Sequence, residues 1–293
     1  MNIVRISDGL GNQMFQYAFA RKISVTTGHK VYLDTRFINN EDLIGKEKNS
    51  YFKKKLAYRE YGLLHFNIKL PVADGRVLIP WKYIEQSGYL QQAVYGLANQ
   101  GFWLWKYKRE NFNFERELSW VDRMLPTYYQ GYFFDLKYYD DIKLVLQHEF
   151  SLKDKVKLPR ELRDILSKKN TVSLHIRRGD FLKLNRDISE SAYYRKAVQI
   201  IQKKIVNPIF LIFSDDISWV KENMKIHDEK IYLSGMGFND YEEFAIMKHC
   251  SHNIIANSTF SYWAAYLNSK KDKIVICPKH WRNSIIPKEW IQC

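Results

Sequence analysis

From residue 171 onward five short apolar runs, "TVSLHI", "NPIFLIFSDD", "KIYLS", "NIIANS" and "DKIVICP", alternate with stretches of helical character. Those stretches include "SAYYRKAVQIIQKK", "ISWVKENMK", "YEEFAIMKHC" and "TFSYWAAYLNS". Strands that read as near-continuous apolar runs are buried on both faces, and strands separated by helices are joined by crossovers. The pattern therefore predicts a parallel sheet covered by helices. The chain opens on the same logic: "NIVRIS" is a strand, "DGLGN" a turn, "QMFQYAFARKISVTTG" a helix and "KVYLDT" the next strand. In that helix Met14, Tyr17, Ala18 and Val25 fall near one face, and Gly28 suits a C-terminal cap.

A chain of 293 residues has room for two such α/β domains, each with its own core. The crossing is placed near the start of "SLKDKVKLPRELRDILSKKN", giving residues 1–150 and 151–293. Ahead of it, "TYYQGYFFDLKYYDDIKLVLQHEF" reads as a strand ending near Phe134. A helix follows whose Ile142, Val145, Leu146 and Phe150 share a face. Residues 40–125 keep no period: "EKNSYFKKK", "WKYIEQSGYL" and "GFWLWKYKRENF" read as short helices and loops.

With 46 Lys and Arg against 32 Asp and Glu, a formal charge of +14, the surface attracts phosphates, nucleic acid or anionic lipid. A content of 46% hydrophobic and 15% aromatic residues excludes a disordered chain. Cys250, Cys277 and Cys293 form no spaced framework, which fits a reducing compartment. Arg5 and Asp8 come too early for the apolar core of a signal peptide, and no apolar run approaches the ~18 residues of a membrane span. The expectation is a cytoplasmic protein, with peripheral attachment to an anionic membrane left open.

The charged residues that could do chemistry follow the apolar runs. In "SLHIRRGDF" the strand ends and Gly179 breaks it, so Arg177, Arg178 and Asp180 stand at the edge where open α/β sheets bind ligands. Arginine forks suit a diphosphate as lysine does not, and Asp180 can orient one guanidinium. His175 either holds the loop or touches the ligand. In "FLIFSDD", Ser214, Asp215 and Asp216 offer carboxylates for a guanine ring or sugar hydroxyls, or an N-cap for the next helix. In "NSTFSYWAAYL", Asn257, Ser258 and Thr259 start a helix, where hydroxyls and free amides cap or bind phosphate. "GLGNQ" is neither a Walker loop nor a dinucleotide fingerprint; its Gly11, Asn12 and Gln13 are placed toward a cleft. His249, Cys250 and His252 crowd too few residues to ligate one ion together, so no metal site is expected. No Asp-x-Asp triplet is present to hold a divalent ion on a nucleotide diphosphate, which leaves that work to the arginines.

Taken in order, "GLGNQMFQYAFA", "YYQGYFFDLKYY", "HIRRGDF", "FSDD", "NSTFSYWAAYL" and "PKHWRN" resemble the family 11 glycosyltransferases, the α-1,2-fucosyltransferases. The landmarks span residues 9 to 283. The resemblance implies a GT-B-like fold, two Rossmann-type domains facing across a cleft, with acceptor on the N-terminal side and donor on the C-terminal side. It implies GDP-β-L-fucose as donor, an inverting reaction and no metal cofactor. The acceptor would be a galactose-terminated glycan, including a lipid-linked one at an anionic membrane, as in O-antigen synthesis. Arg177 would bind the diphosphate, and Arg177 and Asn12 are assigned to catalysis. Asp8, Asp187 and Glu190 are positional candidates for a base. Two rival readings keep the fold but change the nucleotide sugar, or take the charge and the aromatic-lysine stretch as a nucleic-acid surface. The second is disfavoured because the strands end in ligand-type loops, so no nucleic-acid partner is expected.

Overall fold

The computed structural model describes residues 1–38, 60–78, 106–109, 126–168, 170–279 and 281–293. "EKNSYFKKK", "WKYIEQSGYL" and most of "GFWLWKYKRENF", read above as short helices and loops, lie outside the described residues. In chain order the elements are β1 (Asn2–Arg5), α1 (Leu10–Thr27), β2 (Val31–Asp34), β3 (Lys106–Arg109), β4 (Thr127–Gln130), α2 (Lys143–Glu149) and α3 (Arg160–Leu166). They continue with β5 (Thr171–Ile176), α4 (Gly179–Lys183), α5 (Ala192–Lys204), β6 (Ile209–Ser214), α6 (Ile217–Asn223), β7 (Lys230–Tyr232) and α7 (Asp240–His249). The chain ends with β8 (His252–Ile254), α8 (Thr259–Leu267), β9 (Val275–Cys277) and β10 (Ile291–Gln292). His65–Asn67 and Leu144–Cys293 group into one compact unit, and the other described residues up to Lys143 into a second. The grouping thus falls a little ahead of position 150.

The N-terminal unit holds a parallel sheet of order β2-β1-β4-β3. Helix α1 closes on Gly28 at φ 70°, the left-handed conformation that glycine adopts without strain. Met14, Tyr17 and Ala18 are buried as expected, but Val25 is 47% exposed. An 18-residue helix runs about 27 Å, whereas a four-residue strand covers about 13 Å. The last turn of α1 therefore overhangs the sheet. Strand β4 also stops short of Phe134, at Gln130. Phe133 adopts φ 58° and stacks on Phe19 at 3.7 Å, so this aromatic run serves core packing and not the strand.

The C-terminal unit holds a six-stranded parallel sheet of order β10-β9-β8-β5-β6-β7. Every residue of β5 and β6 is buried, as a sheet covered on both faces requires. Val172, Leu174 and Ile176 pack with Tyr194, Ala197 and Ile201 of α5 and with Phe210 and Ile212 of β6. The five strands read from sequence are all present; the two-residue β10 is the addition, too short to show a period. The chain runs from β5 outward to β7, then returns to the other side of β5 for β8. The strand order reverses between β5 and β8, which makes that point the crevice where such sheets take ligands. Among the described residues no helix is long and apolar enough to cross a membrane.

Candidate active site

Two loops flank this reversal: residues 177–180 after β5 and residues 257–260 before and into α8. His175 is 5% exposed, its carbonyl accepts from Tyr194 Oη at 3.1 Å, and its ring lies 5.7 Å from that of Phe260. Nδ1 of His175 is buried without a hydrogen-bond partner among the described residues. Burial first, and the Arg177 charge second, hold its pKa down to about 3, so the imidazole is neutral. Asn257 donates from Nδ2 to the Arg186 carbonyl at 2.8 Å, while its Oδ1 is buried without a hydrogen-bond partner among the described residues. Ser258 caps α8 by accepting from Phe260 N at 3.4 Å, and Thr259 opens the helix. The capping role weighed for this stretch is thus observed, and a helix start of this kind favours an anion.

Arg177 is held by two carboxylates. Nε and Nη2 donate to Asp180 Oδ1 at 3.1 and 2.7 Å, and Nη1 forms an ion pair with Asp215 Oδ2 at 3.1 Å. Both hydrogen bonds leave from the Nε side, so the end of the fork keeps N–H donors for a ligand. The side chain is 24% exposed.

Arg178 differs. It was grouped with Arg177 as a donor-binding residue, but its side chain is only 7% exposed and turns inward. Its guanidinium meets Asp187 at 3.1 Å, Asp216 at 3.3 Å, Ser189 Oγ and the outlying Glu190 at 3.7 Å, and it stacks over Trp219 at 3.7 Å. The physical reason is desolvation: a buried cation must be paired, and these acids pair it. Asp187, considered as a base, is committed to Arg178, whereas Glu190 touches it only from the exposed side at 3.7 Å. Asp216 also accepts from Trp219 N at 3.2 Å and so caps α6. Asp215 accepts from Arg178 N at 2.8 Å through Oδ1. Of the two roles weighed for "FSDD", the helix cap is observed at Asp216, and both aspartates also pair with arginines. The Ser214 hydroxyl accepts from Asp216 N at 3.0 Å.

In the N-terminal unit Gly11 and Gln13 are buried within α1. The Gln13 amide donates to the carbonyls of Asp8 and Glu60, each at 2.7 Å, and accepts from Gly62 N at 3.1 Å. It fastens two loops to the helix. Asn12 is half-buried in the first helical turn. Asp8 adopts φ 65° and accepts from Tyr132 Oη. Gln16, which sequence reasoning passed over, ties Ser7 N (2.8 Å) to the Gly131 carbonyl (3.2 Å), joining the turns after β1 and β4. A glutamine among the apolar residues of "QMFQYAFA" was its only signal in the sequence. Ser189 and Trp219 around Arg178 gave no sequence signal, since they come from the segment ahead of α5 and from α6, and Asp187 was considered only as a base. His249, Cys250 and His252 meet separate partners: Ala245 O, Ile246 O and Ile274 N.

Two parallel-sheet units, one carrying strand-end arginines beside a helix start, define a GT-B-like glycosyltransferase. The profile of glycosyl transferase family 11 matches residues 1–292, and the chain belongs to that family. It is 30% identical to the O-antigen biosynthesis glycosyltransferase WbnK of Escherichia coli, over 94% of this chain and 93% of that protein. It is 26% identical to an α-1,2-colitosyltransferase of E. coli, over 99% and 98% of the two chains. It is 25% identical to galactoside α-(1,2)-fucosyltransferase 2 of Rattus norvegicus, over 69% and 54%. Among solved structures, an Arabidopsis thaliana FUT1 variant in complex with GDP superposes with a TM-score of 0.53 at 11% identity, covering 98% of this chain and 74% of that one, a likeness of fold.

Proposed function

We propose that this glycosyltransferase moves L-fucose from GDP-β-L-fucose, with inversion, to the 2-hydroxyl of a galactose-type acceptor in polysaccharide or O-antigen synthesis. One observation carries the reading. At the strand reversal, the orphaned polar atoms of His175 and Asn257 and the open fork of Arg177 stand together with the start of α8. Buried polar atoms without partners are costly unless a ligand completes them, and the charge and the helix start call for an anion.

In this reading the C-terminal unit binds the donor and the N-terminal unit, with Asn12, the acceptor. The acceptor oxygen forms a bond to the anomeric carbon as the bond to the β-phosphate breaks, and the electron pair leaves with GDP. The hydroxyl proton passes to solvent or a nearby base. Arg177 faces the oxygen on which charge grows, so it stabilises the transition state more than the bound donor. No metal takes part, because the arginine supplies the positive charge. The basic surface favours peripheral contact with anionic membrane, where lipid-linked acceptors reside.

A second reading, colitose in place of fucose, is favoured by the 26% identity to a colitosyltransferase. The test is a titration with GDP, GMP, UDP and an oligonucleotide, followed by turnover with GDP-fucose and GDP-colitose. The proposal expects GDP tightest and GDP-fucose turned over. UDP binding above GDP would overturn it, and salt-sensitive oligonucleotide binding in place of GDP would favour the nucleic-acid reading.

A further inference from the structure

Guanine presents two adjacent N–H groups, at N1 and at the 2-amino nitrogen, and a carboxylate is the side chain that accepts both. The oxygens of Asp215 and Asp216 are each already engaged, by Arg177, Arg178 and the start of α6. Another carboxyl stands at this edge of the sheet. Helix α7 starts from the loop after β7, and that loop is fastened to β6: Ser214 N donates to Ser234 Oγ at 2.9 Å. The Ser234 hydroxyl in turn lies close enough to Glu243 to lower its pKa. Glu243 is thereby placed over the carboxyl ends of β6 and β7.

Its neighbours on α7 have other tasks. Glu242 closes a capping box with Asn239, and Asp240 is exposed. Glu243 forms no ion pair with a cation among the described residues. Beside it Gly235 and Gly237, at φ 92° and 89°, keep the loop backbone bare around Met236, which is 51% exposed and offers an apolar contact to a flat ring.

The geometry points to Glu243 as the residue with which the donor site reads its nucleobase, accepting from N1–H and the 2-amino group of guanine. The inference rests on the GDP-sugar reading and deepens it. Burial raises the Glu243 pKa to about 7; the Ser234 hydroxyl lowers it and the charge of Asp240 raises it further. The other charged groups about this edge are Asp215 and Asp216, each paired with an arginine, and His65, which stacks on Tyr241 at 3.7 Å. A carboxylate held without a cation is raised in energy, and the two guanine N–H groups offset that cost.

Calorimetric titration of the full chain with GDP and inosine diphosphate, which lacks the 2-amino group, between pH 6 and 8 tests this. The ionised carboxylate accepts two bonds from guanine and one from hypoxanthine. The preference for GDP should therefore be about tenfold at pH 8 and shrink toward pH 6, as expected for a charged hydrogen bond. Glu243→Gln should flatten the pH dependence and lower the preference, while Glu243→Asp should keep the pH dependence with weaker binding. A preference that is flat with pH in the unsubstituted protein overturns the inference without need of any variant. A preference unchanged in Glu243→Gln overturns it while leaving the GDP reading intact. Failure to bind GDP at any pH, with binding of UDP, removes the donor reading itself and this inference with it.

Discussion

Asp215 grips the charge of Arg177 with one carboxylate oxygen, at 3.1 Å, and the backbone N–H of Arg178 with the other, at 2.8 Å. A carboxylate used at both oxygens cannot turn without losing a contact. The Arg177 fork is thus oriented before any ligand arrives, which is the condition under which a cation stabilises developing charge without reorganisation. Asp180 completes the support from the other side.

Gly179 makes room for this arrangement. A Cβ at that position would lie 2.5 Å from Asp215 Oδ2 and 3.1 Å from its Cγ. Gly179→Ala should displace the carboxylate, at a cost of about 1–3 kcal/mol typical of overpacking, and lower turnover through Arg177. In an Asp215→Ala background the same substitution should cost little. A double-mutant cycle in kcat checks this, and additive effects would show that the two residues are uncoupled.

Arg178 belongs to stability. Arg178→Lys keeps the charge but loses the fork shared among Asp187, Asp216 and Ser189 and the stacking on Trp219. A point charge cannot replace the fork's several hydrogen bonds to these buried acceptors, so a clear fall in melting temperature is expected, larger than for Arg177→Lys. Equal melting temperatures for the two variants would contradict the division of labour.

The neutral His175 makes the fold acid-sensitive. Its pKa is about 3 in the folded chain against an ordinary 6.5, a depressed value. The neutral ring's contribution is therefore fully present above pH 6.5 and lost as pH falls toward 3. The slope is up to about 1.4 kcal/mol per pH unit for one proton. Urea unfolding at pH 7, 6 and 5 should show the wild type losing stability faster than His175→Gln. Parallel losses would place the acid sensitivity elsewhere.

Much of this was legible in the sequence because the strands of the C-terminal unit are apolar on both faces and end in charged residues. That pattern located β5, β6 and β8 and, through them, Arg177, Asp215 and Ser258. What could not be read is which partner each charge finds. Arg177 and Arg178 are neighbours with the same chemistry, yet one is partly exposed and the other is buried against Asp187 and Trp219. Gln13 looked like a ligand group because it is polar at a strand-to-helix turn. Its amide is instead matched to backbone atoms of Asp8, Glu60 and Gly62, contacts 5 to 49 residues away that no local pattern encodes.

The proposed reaction needs no divalent ion, a proposal that rests on the absent Asp-x-Asp triplet and the oriented arginine. Transfer, or slow hydrolysis of GDP-fucose, should persist in excess EDTA. Complete loss restored by magnesium or manganese would contradict it.

The most direct test of the account is Arg177→Lys, measured for kcat with GDP-fucose, for GDP affinity and for melting temperature. Lysine keeps one positive charge but cannot hold Asp180 and Asp215 while presenting a fork to the diphosphate. The account predicts a loss of at least ~2 kcal/mol of transition-state stabilisation, comparable to removing one oxyanion donor. It also predicts a smaller change in GDP affinity, because charge on the phosphate grows as the glycosidic bond breaks. The melting temperature should hardly move. A kcat near that of the wild type would contradict the claim that Arg177 stabilises the departing diphosphate.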